Sequence, residues 1–213
     1  MSSSAYELLY FDAPGRAEAV RICLHAAGIQ LKDTRPEFAE WPKIKPTTPL
    51  GKFPVLKIND VQYCQSVALA RYAGKMCGFY PTDSSENGPT DALIVDIAMD
   101  TLNEIMSLNP MGEDREKVLA ERKEFQKTTL TKYADYLESL IQKNGSGGTG
   151  FVSTPSIADI LLKVEVEAMQ GGYWTGDSEG IDKNFFDSYP GIMGTVASIS
   201  KNDKVVSYYT SKE

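Results

Sequence analysis

Residues 79–89, with the sequence FYPTDSSENGP, divide the chain into two parts that have different hydrophobic patterns. Pro and Gly interrupt regular structure, and the polar residues between them offer no apolar face to a core. The part before this segment alternates strand patterns with helical ones, whereas the part after it shows only helical patterns. A chain of 213 residues is long enough for two small domains. The sequence therefore predicts a mixed α/β domain followed by an all-α helix bundle.

The first part has the element order βαβ followed by ββα. The expected elements are a strand at 6–11, a helix from Gly15 to Gly28, a strand at 29–34, a hairpin that turns at Asn59-Asp60, and a helix from Ser66 to Cys77 closed by Gly78. In the first of these helices, apolar residues at positions 17, 20, 24 and 27 share one face. This order places helices on both sides of a four-stranded sheet.

The second part carries two apolar stripes at helical spacing. The first stripe is Ile94, Ile97, Ala98, Thr101, Leu102 and Ile105, and the second is Leu130, Tyr133, Leu137, Leu140 and Ile141. A Gly-rich break at 144–150 follows, and then Ser156 stands three residues before Asp159 at the start of an apolar run. This spacing is typical of a capping box, here with Asp in place of the usual Glu, and it indicates a further helix.

The dipeptide Gln65-Ser66 opens the helix that follows the turn sequence Gly51-Lys52-Phe53-Pro54. The first turn of a helix has unpaired backbone N–H groups and partial positive charge, so Gln and Ser side chains there add donors for a small carboxylate. The alternative interpretation is that Ser66 only caps the helix, since Ser is a favoured cap residue.

Charge and composition exclude several classes of partner. The formal net charge of −7 argues against binding to nucleic acid or to an anionic membrane surface, because both require clustered Lys and Arg. No apolar run is long enough to span a bilayer, and residues 1–4 lack the features of a signal peptide, so we expect a cytoplasmic protein.

The three cysteines form no CxxC pair and predict buried thiols rather than a disulfide framework. The single histidine, His25, has no partner at metal spacing, so no metal site is expected.

Five strings at fixed spacings carry a resemblance to a known family: YFDAPGRAE, EWPKIKPTTPLGKFPVL, CQSVALARY, VDIAMDTLNEIM and SIAD. Together they resemble the cytosolic glutathione transferases over essentially the whole chain. The sequence is most similar to the sigma class, which includes glutathione-dependent prostaglandin D synthases. The resemblance implies a thioredoxin-like glutathione-binding domain (βαβαββα) at 1–79, a linker at 80–89 and an all-helical domain at 90–213. It also implies a homodimer and glutathione as the co-substrate.

By this resemblance, Tyr10 is the catalytic tyrosine that donates a hydrogen bond to the sulfur of glutathione. Such a donor is needed because a free thiol with a pKa of about 8.5 is mostly protonated at pH 7, and the thiolate is the nucleophile. Tyr6 is a competing hydroxyl. Arg16 resembles an arginine that adds positive potential near the sulfur. Pro14 departs from the commoner family string, which has an arginine before the glycine.

The resemblance also assigns groups that bind the rest of glutathione. Phe53-Pro54 resembles the cis-proline turn that exposes the backbone of Phe53 for antiparallel pairing with the cysteinyl part of the tripeptide. The other positions implied are Gln65 and Ser66 for the γ-glutamyl carboxylate, and Trp41, Lys45, Gly51 and Lys52 near the glycyl end. The alternatives are core packing for Trp41 and solvated surface for the lysines.

Two acidic residues, Asp96 and Asp100, lie four residues apart on one predicted helix, where like charges repel. Asp100 resembles a carboxylate that reaches glutathione held by the neighbouring subunit. The pair resembles a divalent-cation site of some sigma-class members, although we expect no metal dependence. For Asp96, the alternative is tolerated repulsion at the surface.

The expected activity is conjugation of glutathione, through its thiolate sulfur, to an apolar electrophile, or reduction or isomerisation of such a substrate. A second-substrate pocket between the two domains would be lined by Ala13, Met106, Pro110 and Tyr208. The alternative from another class is a catalytically weak relative that carries apolar ligands or serves as a structural protein, as the lens crystallins derived from this class do. Fold alone does not decide between them.

Overall fold

A computed structural model of the chain describes residues 5–82, 87–171 and 179–212. Contacts group the chain into two compact units, one formed by 1–79 together with 203–213 and the other by 80–202. The sequence pattern predicts that 203–213 belong to the helical domain, whereas their contacts group them with the first unit. Of the expected linker at 80–89, residues 83–86 lie outside the described residues.

The strands of the first unit are short and form one mixed sheet. They are β1 (Tyr6–Leu9), β2 (Leu31–Thr34), β3 (Val55–Ile58) and β4 (Val61–Tyr63). In the part of the chain that the structure describes, these four strands are ordered β2-β1-β3-β4. β2 runs parallel to β1, and the other pairs are antiparallel, with Leu8 opposite Asp33 on one side and Leu56 on the other.

The helices follow the predicted division of the chain. They are α1 (Glu18–Ala26), α2 (Trp41–Ile44), α3 (Ser66–Cys77), α4 (Gly88–Leu108), α5 (Arg115–Phe125), α6 (Thr131–Asn144), α7 (Ile157–Met169), α8 (Pro190–Ser200) and α9 (Asp203–Thr210). Short 3-10 turns precede α1, flank α2 and precede α8, and a π-helical segment at Gln126–Leu130 joins α5 to α6. The α/β unit and the helical unit therefore confirm the predicted fold class.

Each unit has its own apolar core. In the first unit α1 packs against α3 and α9, and Leu8, Ile22 and Leu56 are fully buried. In the second unit α4 packs against α6 and α7, and α8 packs against α6 and α7. Met99 and Leu137 are buried there. Burial of one such side chain stabilises the folded state by roughly 1.5–3 kcal/mol. The two cores therefore hold the strands and helices in place, and the ends of these elements position the loops.

Local signals in the sequence explain several element ends. α3 spans the predicted residues and ends at Gly78, whose φ of 79° is the left-handed conformation that glycine adopts easily. The predicted capping box at α7 is confirmed, because Ser156 and Asp159 bond each other's backbone. α4 begins at Gly88, inside the expected linker. β1 ends at Leu9 rather than at residue 11, since the chain turns away from the sheet after Tyr10.

Candidate active site

Tyr10 stands directly after β1 and is surrounded by its own following loop. Its ring is buried, and its phenol oxygen accepts a hydrogen bond from the backbone N–H of Arg16 at 3.3 Å. Gly15 turns the loop back with a φ of +40°, and a Cβ atom at this position would lie 2.5 Å from the Tyr10 oxygen. The glycine is therefore required both by the backbone conformation and by the close approach of the phenol.

The competing hydroxyl, Tyr6, has a different environment near the start of β1. Its oxygen lies 2.9 Å from the hydroxyl oxygen of Tyr72, so the two hydroxyls share a hydrogen bond. Burial, and next the hydrogen bond with Tyr6, raise the pKa of Tyr72 to about 12. The Tyr6 hydroxyl thus pairs with Tyr72 on α3, whereas the Tyr10 hydroxyl lies against the loop that follows it.

An aromatic cluster joins Tyr10 to two of the expected binding residues. The Trp41 and Phe53 ring centroids are 4.5 Å apart, and Phe11 lies 5.6 Å from Trp41 and 5.1 Å from Phe53. The Tyr10 ring is 6.4 Å from that of Phe53. Aromatic pairs at these distances add packing energy of about 0.5–1.5 kcal/mol each beyond burial. The cluster holds the turn before β3 against the α2 segment and the Tyr10 loop.

The turn before β3 contains the expected cis peptide bond at Phe53-Pro54. Gly51, just before it, has a φ of +60°, and the stem of the Lys45 side chain lies beside it, 3.5 Å from where a Cβ would be. Lys45 and Lys52 are both exposed, so their ammonium groups face solvent around this turn. Two cations beside one turn are a suitable environment for a carboxylate.

Gln65 and Ser66 stand at the N-terminus of α3, as the sequence predicts. Gln65 occupies the N-cap position with a φ of 77° and makes no side-chain capping hydrogen bond, and Ser66 is the first helical residue. The alternative interpretation of Ser66 as a simple N-cap is therefore wrong. A non-glycine residue at positive φ is uncommon and stores backbone strain, which points to a role for the Gln65 side chain outside the helix.

The remaining expected site residues divide between the two units. In the first unit, Ala13 is buried in the Tyr10 loop, and the buried ring of Tyr208 on α9 packs on His25 at 5.7 Å. In the second unit, Asp100 is exposed on α4, and Met106 and Pro110 are half-buried at the end of that helix. Their assignment to one second-substrate pocket stays a prediction.

The acidic pair on α4 consists of Asp96, which is half-buried, and Asp100, which is exposed. Asp96 accepts a hydrogen bond from the Tyr80 hydroxyl at 3.0 Å. Across the described ranges, no group of three or more His, Cys, Asp or Glu side chains could hold a metal ion. His25 lies 3.2 Å from the Ser207 hydroxyl, and the three cysteines are free thiols. Among the helices that the structure describes, none is long and apolar enough to cross a membrane.

One residue beside the Tyr10 loop was missed by the sequence reasoning. The side chain of Arg21 is almost fully buried, and its guanidinium donates to the carbonyl of Ala13 at 2.7 Å. The sequence does indicate that Arg21 is buried, because Arg21 lies four residues after Ala17 and three before Leu24, within the apolar stripe of α1. A charge on a buried face needs partners, and these become visible only in the folded chain.

The first unit has the thioredoxin-like arrangement, a mixed sheet with a cis-proline at the start of β3. Comparison with known families matches residues 6–75 to the glutathione S-transferase N-terminal domain and residues 99–212 to the glutathione S-transferase C-terminal domain. The chain belongs to the glutathione S-transferase family. The resemblance drawn from the five sequence strings is thereby confirmed.

Individual relatives agree with this assignment. The chain is 37% identical over 135 residues to hematopoietic prostaglandin D synthase of Gallus gallus, covering 63% of this chain and 64% of that protein. It is 33% identical to glutathione S-transferase 3 of Caenorhabditis elegans, covering 67% and 70%. A solved structure of prostaglandin synthase D of Nilaparvata lugens matches with a TM-score of 0.81 and 27% identity over 98% of both chains. The chain spans 53% to 64% of the length of the hematopoietic prostaglandin D synthases that it matches.

Proposed function

We propose that this protein is a glutathione transferase in which Tyr10 stabilises the thiolate of bound glutathione. The observation that carries the proposal is the hydrogen bond from the Arg16 N–H to the Tyr10 oxygen. That bond uses a lone pair of the phenol oxygen and fixes the position of this oxygen, and a phenol hydroxyl can donate as well as accept a hydrogen bond. A fixed donor at the end of a strand is suited to hold an anionic sulfur.

The energies required are within reach of one such hydrogen bond. A pKa about two units below that of a free thiol would make most of the bound glutathione ionised at pH 7, and corresponds to about 2.7 kcal/mol. A hydrogen bond to a charged group contributes about 1.5–3 kcal/mol. The always-charged guanidinium of Arg16, in the same loop, would add favourable potential without competing for the proton.

The rest of glutathione would be held by the groups around the two turns. In this proposal the backbone of Phe53, before Pro54, pairs with the cysteinyl unit, and Gln65 and Ser66 bind the γ-glutamyl carboxylate at the N-terminus of α3. The glycyl carboxylate is bound by Trp41, Lys45 and Lys52 around Gly51. Asp100 of a second copy completes the site at the γ-glutamyl amine, which requires a homodimer. The protein would work in the cytosol, as the family resemblance implies.

The second substrate is an apolar electrophile, which we propose is bound by Ala13, Met106, Pro110 and Tyr208. The thiolate would attack an electrophilic carbon, a peroxide or an activated alkene. Relatives named prostaglandin D synthase support a prostanoid as one candidate substrate for isomerisation. A general conjugation activity is the broader alternative within the same mechanism.

The test compares the parent protein with Tyr10→Phe, and uses Tyr6→Phe as the matched control. The pKa of the bound thiol is measured from the ultraviolet absorbance of the thiolate, and conjugation is measured with a generic aromatic electrophile. We expect Tyr10→Phe to bind glutathione, to raise the thiol pKa by about two units and to lower kcat/KM by about a hundredfold. Tyr6→Phe should match the parent.

Each other result has a distinct meaning. Equal thiol pKa values in the parent and in Tyr10→Phe would move the catalytic role to another group. Tight binding with no conjugation by the parent would favour a carrier or structural protein. Failure of the parent to bind glutathione at millimolar concentration would reject the proposed function.

A further inference from the structure

Arg21 is the largest side chain that is fully buried in the described part of the chain, although it is charged. Burying a charge is costly unless it is paired and hydrogen-bonded. Arg21 meets this requirement with an unusual set of partners, since its Nη1 atom donates to the carbonyls of Ala13 at 2.7 Å and Pro14 at 3.4 Å. The buried guanidinium of Arg21 therefore holds the backbone of the loop that follows Tyr10.

The carbonyls bound by Arg21 belong to the same loop that contacts the Tyr10 hydroxyl. Gly15 and Arg16 follow immediately, and the Arg16 N–H donates to the phenol oxygen at 3.3 Å. The guanidinium carbon of Arg21 also lies 5.8 Å from the centroid of the Tyr10 ring, within the range of a cation–π contact. The loop is thus attached to Arg21 at one end and to Tyr10 at the other.

Two carboxylates hold Arg21 itself in place. Asp33 on β2 accepts from Nε at 3.0 Å and from Nη2 at 3.3 Å, which is a bidentate pair. Glu18 on α1 accepts from Nη1 at 3.3 Å, and its other oxygen lies 3.1 Å from the Lys212 ammonium. Both carboxylates are themselves mostly buried, with 24% and 2% of the side chain exposed. The guanidinium therefore has one orientation, fixed by the sheet and by its own helix.

We infer that Arg21 is a positioning residue for catalysis, which sets the direction of the Tyr10 hydroxyl through the carbonyls of Ala13 and Pro14. The inference rests on the proposed function, because it assigns Arg21 to the thiolate-stabilising role of Tyr10. Arg21 does not touch glutathione in this view. Its loss should change how well the phenol stabilises the thiolate, and leave the groups that bind the two carboxylates of glutathione in place.

The first test is Arg21→Met, which keeps much of the side-chain volume but removes the charge and the donors. For protein that retains the parental circular dichroism spectrum, we expect the pKa of the bound thiol to rise by about one unit. At a pH near the parental thiol pKa, kcat/KM should fall about tenfold, while the Kd for glutathione changes less than about threefold. Arg21→Lys keeps one charged donor and should recover part of the thiol pKa.

The second test removes the support of Arg21 without touching Arg21. Asp33→Asn weakens the bidentate pair, and it also weakens a surface pair with Arg35, whose Nη2 lies 2.7 Å from Asp33. Asp12→Asn is the matched control, since Asp12 is 80% exposed and pairs with the same Arg35 at 2.7 Å. We expect Asp33→Asn to raise the bound-thiol pKa by about half a unit, and Asp12→Asn to leave it unchanged.

The outcomes separate the two proposals. A thiol pKa equal to that of the parent in folded Arg21→Met, or equal values in Asp33→Asn and Asp12→Asn, would overturn the positioning role and leave the proposed function intact. If Arg21→Met does not fold, the comparison of Asp33→Asn with Asp12→Asn alone tests the positioning role of Arg21. A thiol pKa in the parent that is no lower than that of free glutathione would reject the proposed function itself.

Discussion

Gly15 packs so closely on the hydroxyl of Tyr10 that any side chain at Gly15 would displace the phenol. A Cβ atom there would lie 2.5 Å from the phenol oxygen and 3.2 Å from the nearest ring carbon. The ring can move more easily than the backbone, so the cost of a methyl group falls mainly on the position of the hydroxyl. The approach of these two residues therefore links a backbone turn to the proposed chemistry.

Replacing Gly15 with Ala is expected to lower kcat/KM by at least about tenfold, because the phenol is moved away from the thiolate. Ala at positive φ should also cost about 1 kcal/mol of stability. Gly28→Ala is the control, since Gly28 has a φ of +69° and a methyl group there would have no atom within 4 Å. Urea unfolding and steady-state kinetics should show similar losses of stability in both variants, but a kinetic loss only at Gly15. Equal kinetics would contradict the steric argument.

Gln65 combines backbone strain with a proposed binding role, so its replacement should separate stability from affinity. We expect Gln65→Gly to raise the free energy of unfolding by about 1 kcal/mol, because glycine adopts a φ of 77° without strain. The Kd for glutathione should rise about tenfold through loss of the side-chain amide. Thermal unfolding and titration calorimetry measure the two effects.

Asn59→Gly provides the control for Gln65. Asn59 has a φ of 56° in the β3–β4 turn, which asparagine tolerates well, and its side chain accepts a hydrogen bond from the Ala5 N–H at 3.2 Å. This variant should change stability by less than about 0.5 kcal/mol and leave glutathione binding unchanged. A loss of stability in Gln65→Gly would show that the strained conformation is compensated locally.

The sequence predicted the elements that depend on periodicity and on single turn residues. α3 has both of its predicted ends because Gly78 adopts the left-handed conformation, and α7 begins at its capping box. The end of β1 at Leu9 was less predictable, because the point at which the chain leaves the sheet depends on the close packing of Gly15 against Tyr10. The partners of Arg21 were not predictable either, because Asp33 contacts Arg21 only when β2 pairs with β1.

Glu7 joins β1 to both neighbouring strands through its carboxylate. Hydrogen bonds from Lys32, then Thr34 and Lys57, lower its pKa from 4.5 to about 2 against the opposing effect of burial. Because the folded-state pKa lies below the unfolded one, this stabilisation is present above pH 4.5 and is lost as the pH falls towards 2. The side chain is 21% exposed, so we discount the shift for solvent screening and expect Glu7→Gln to cost about 1 kcal/mol at pH 7.

The check on Glu7 is a series of urea unfolding curves between pH 2 and pH 7. The difference between the parent and Glu7→Gln should shrink as the pH falls and vanish near pH 2. Lys32→Gln is the control, because Lys32 is 73% exposed and removing it leaves Thr34 and Lys57 in place, so its cost should be below about 0.5 kcal/mol. A difference that is constant with pH would show that packing, not charge, accounts for the effect of Glu7→Gln.

Asp159 behaves in the opposite direction, because its carboxyl is buried at the start of α7. Burial raises its pKa from 3.8 to about 6, although the backbone N–H groups of Ser156 and Phe151 and the Ser156 hydroxyl oppose the shift. A raised folded-state pKa means that the native state holds the proton more tightly, so the contribution of this group to stability is largest below pH 4 and is lost as the pH rises to about 6.

The variant Asp159→Asn keeps the shape of the cap but does not titrate. On acidification from pH 6 to pH 4, the parent should therefore gain up to about 2 kcal/mol relative to Asp159→Asn in urea unfolding. A difference that stays flat across this range would mean that hydrogen bonding at the cap cancels the cost of burial.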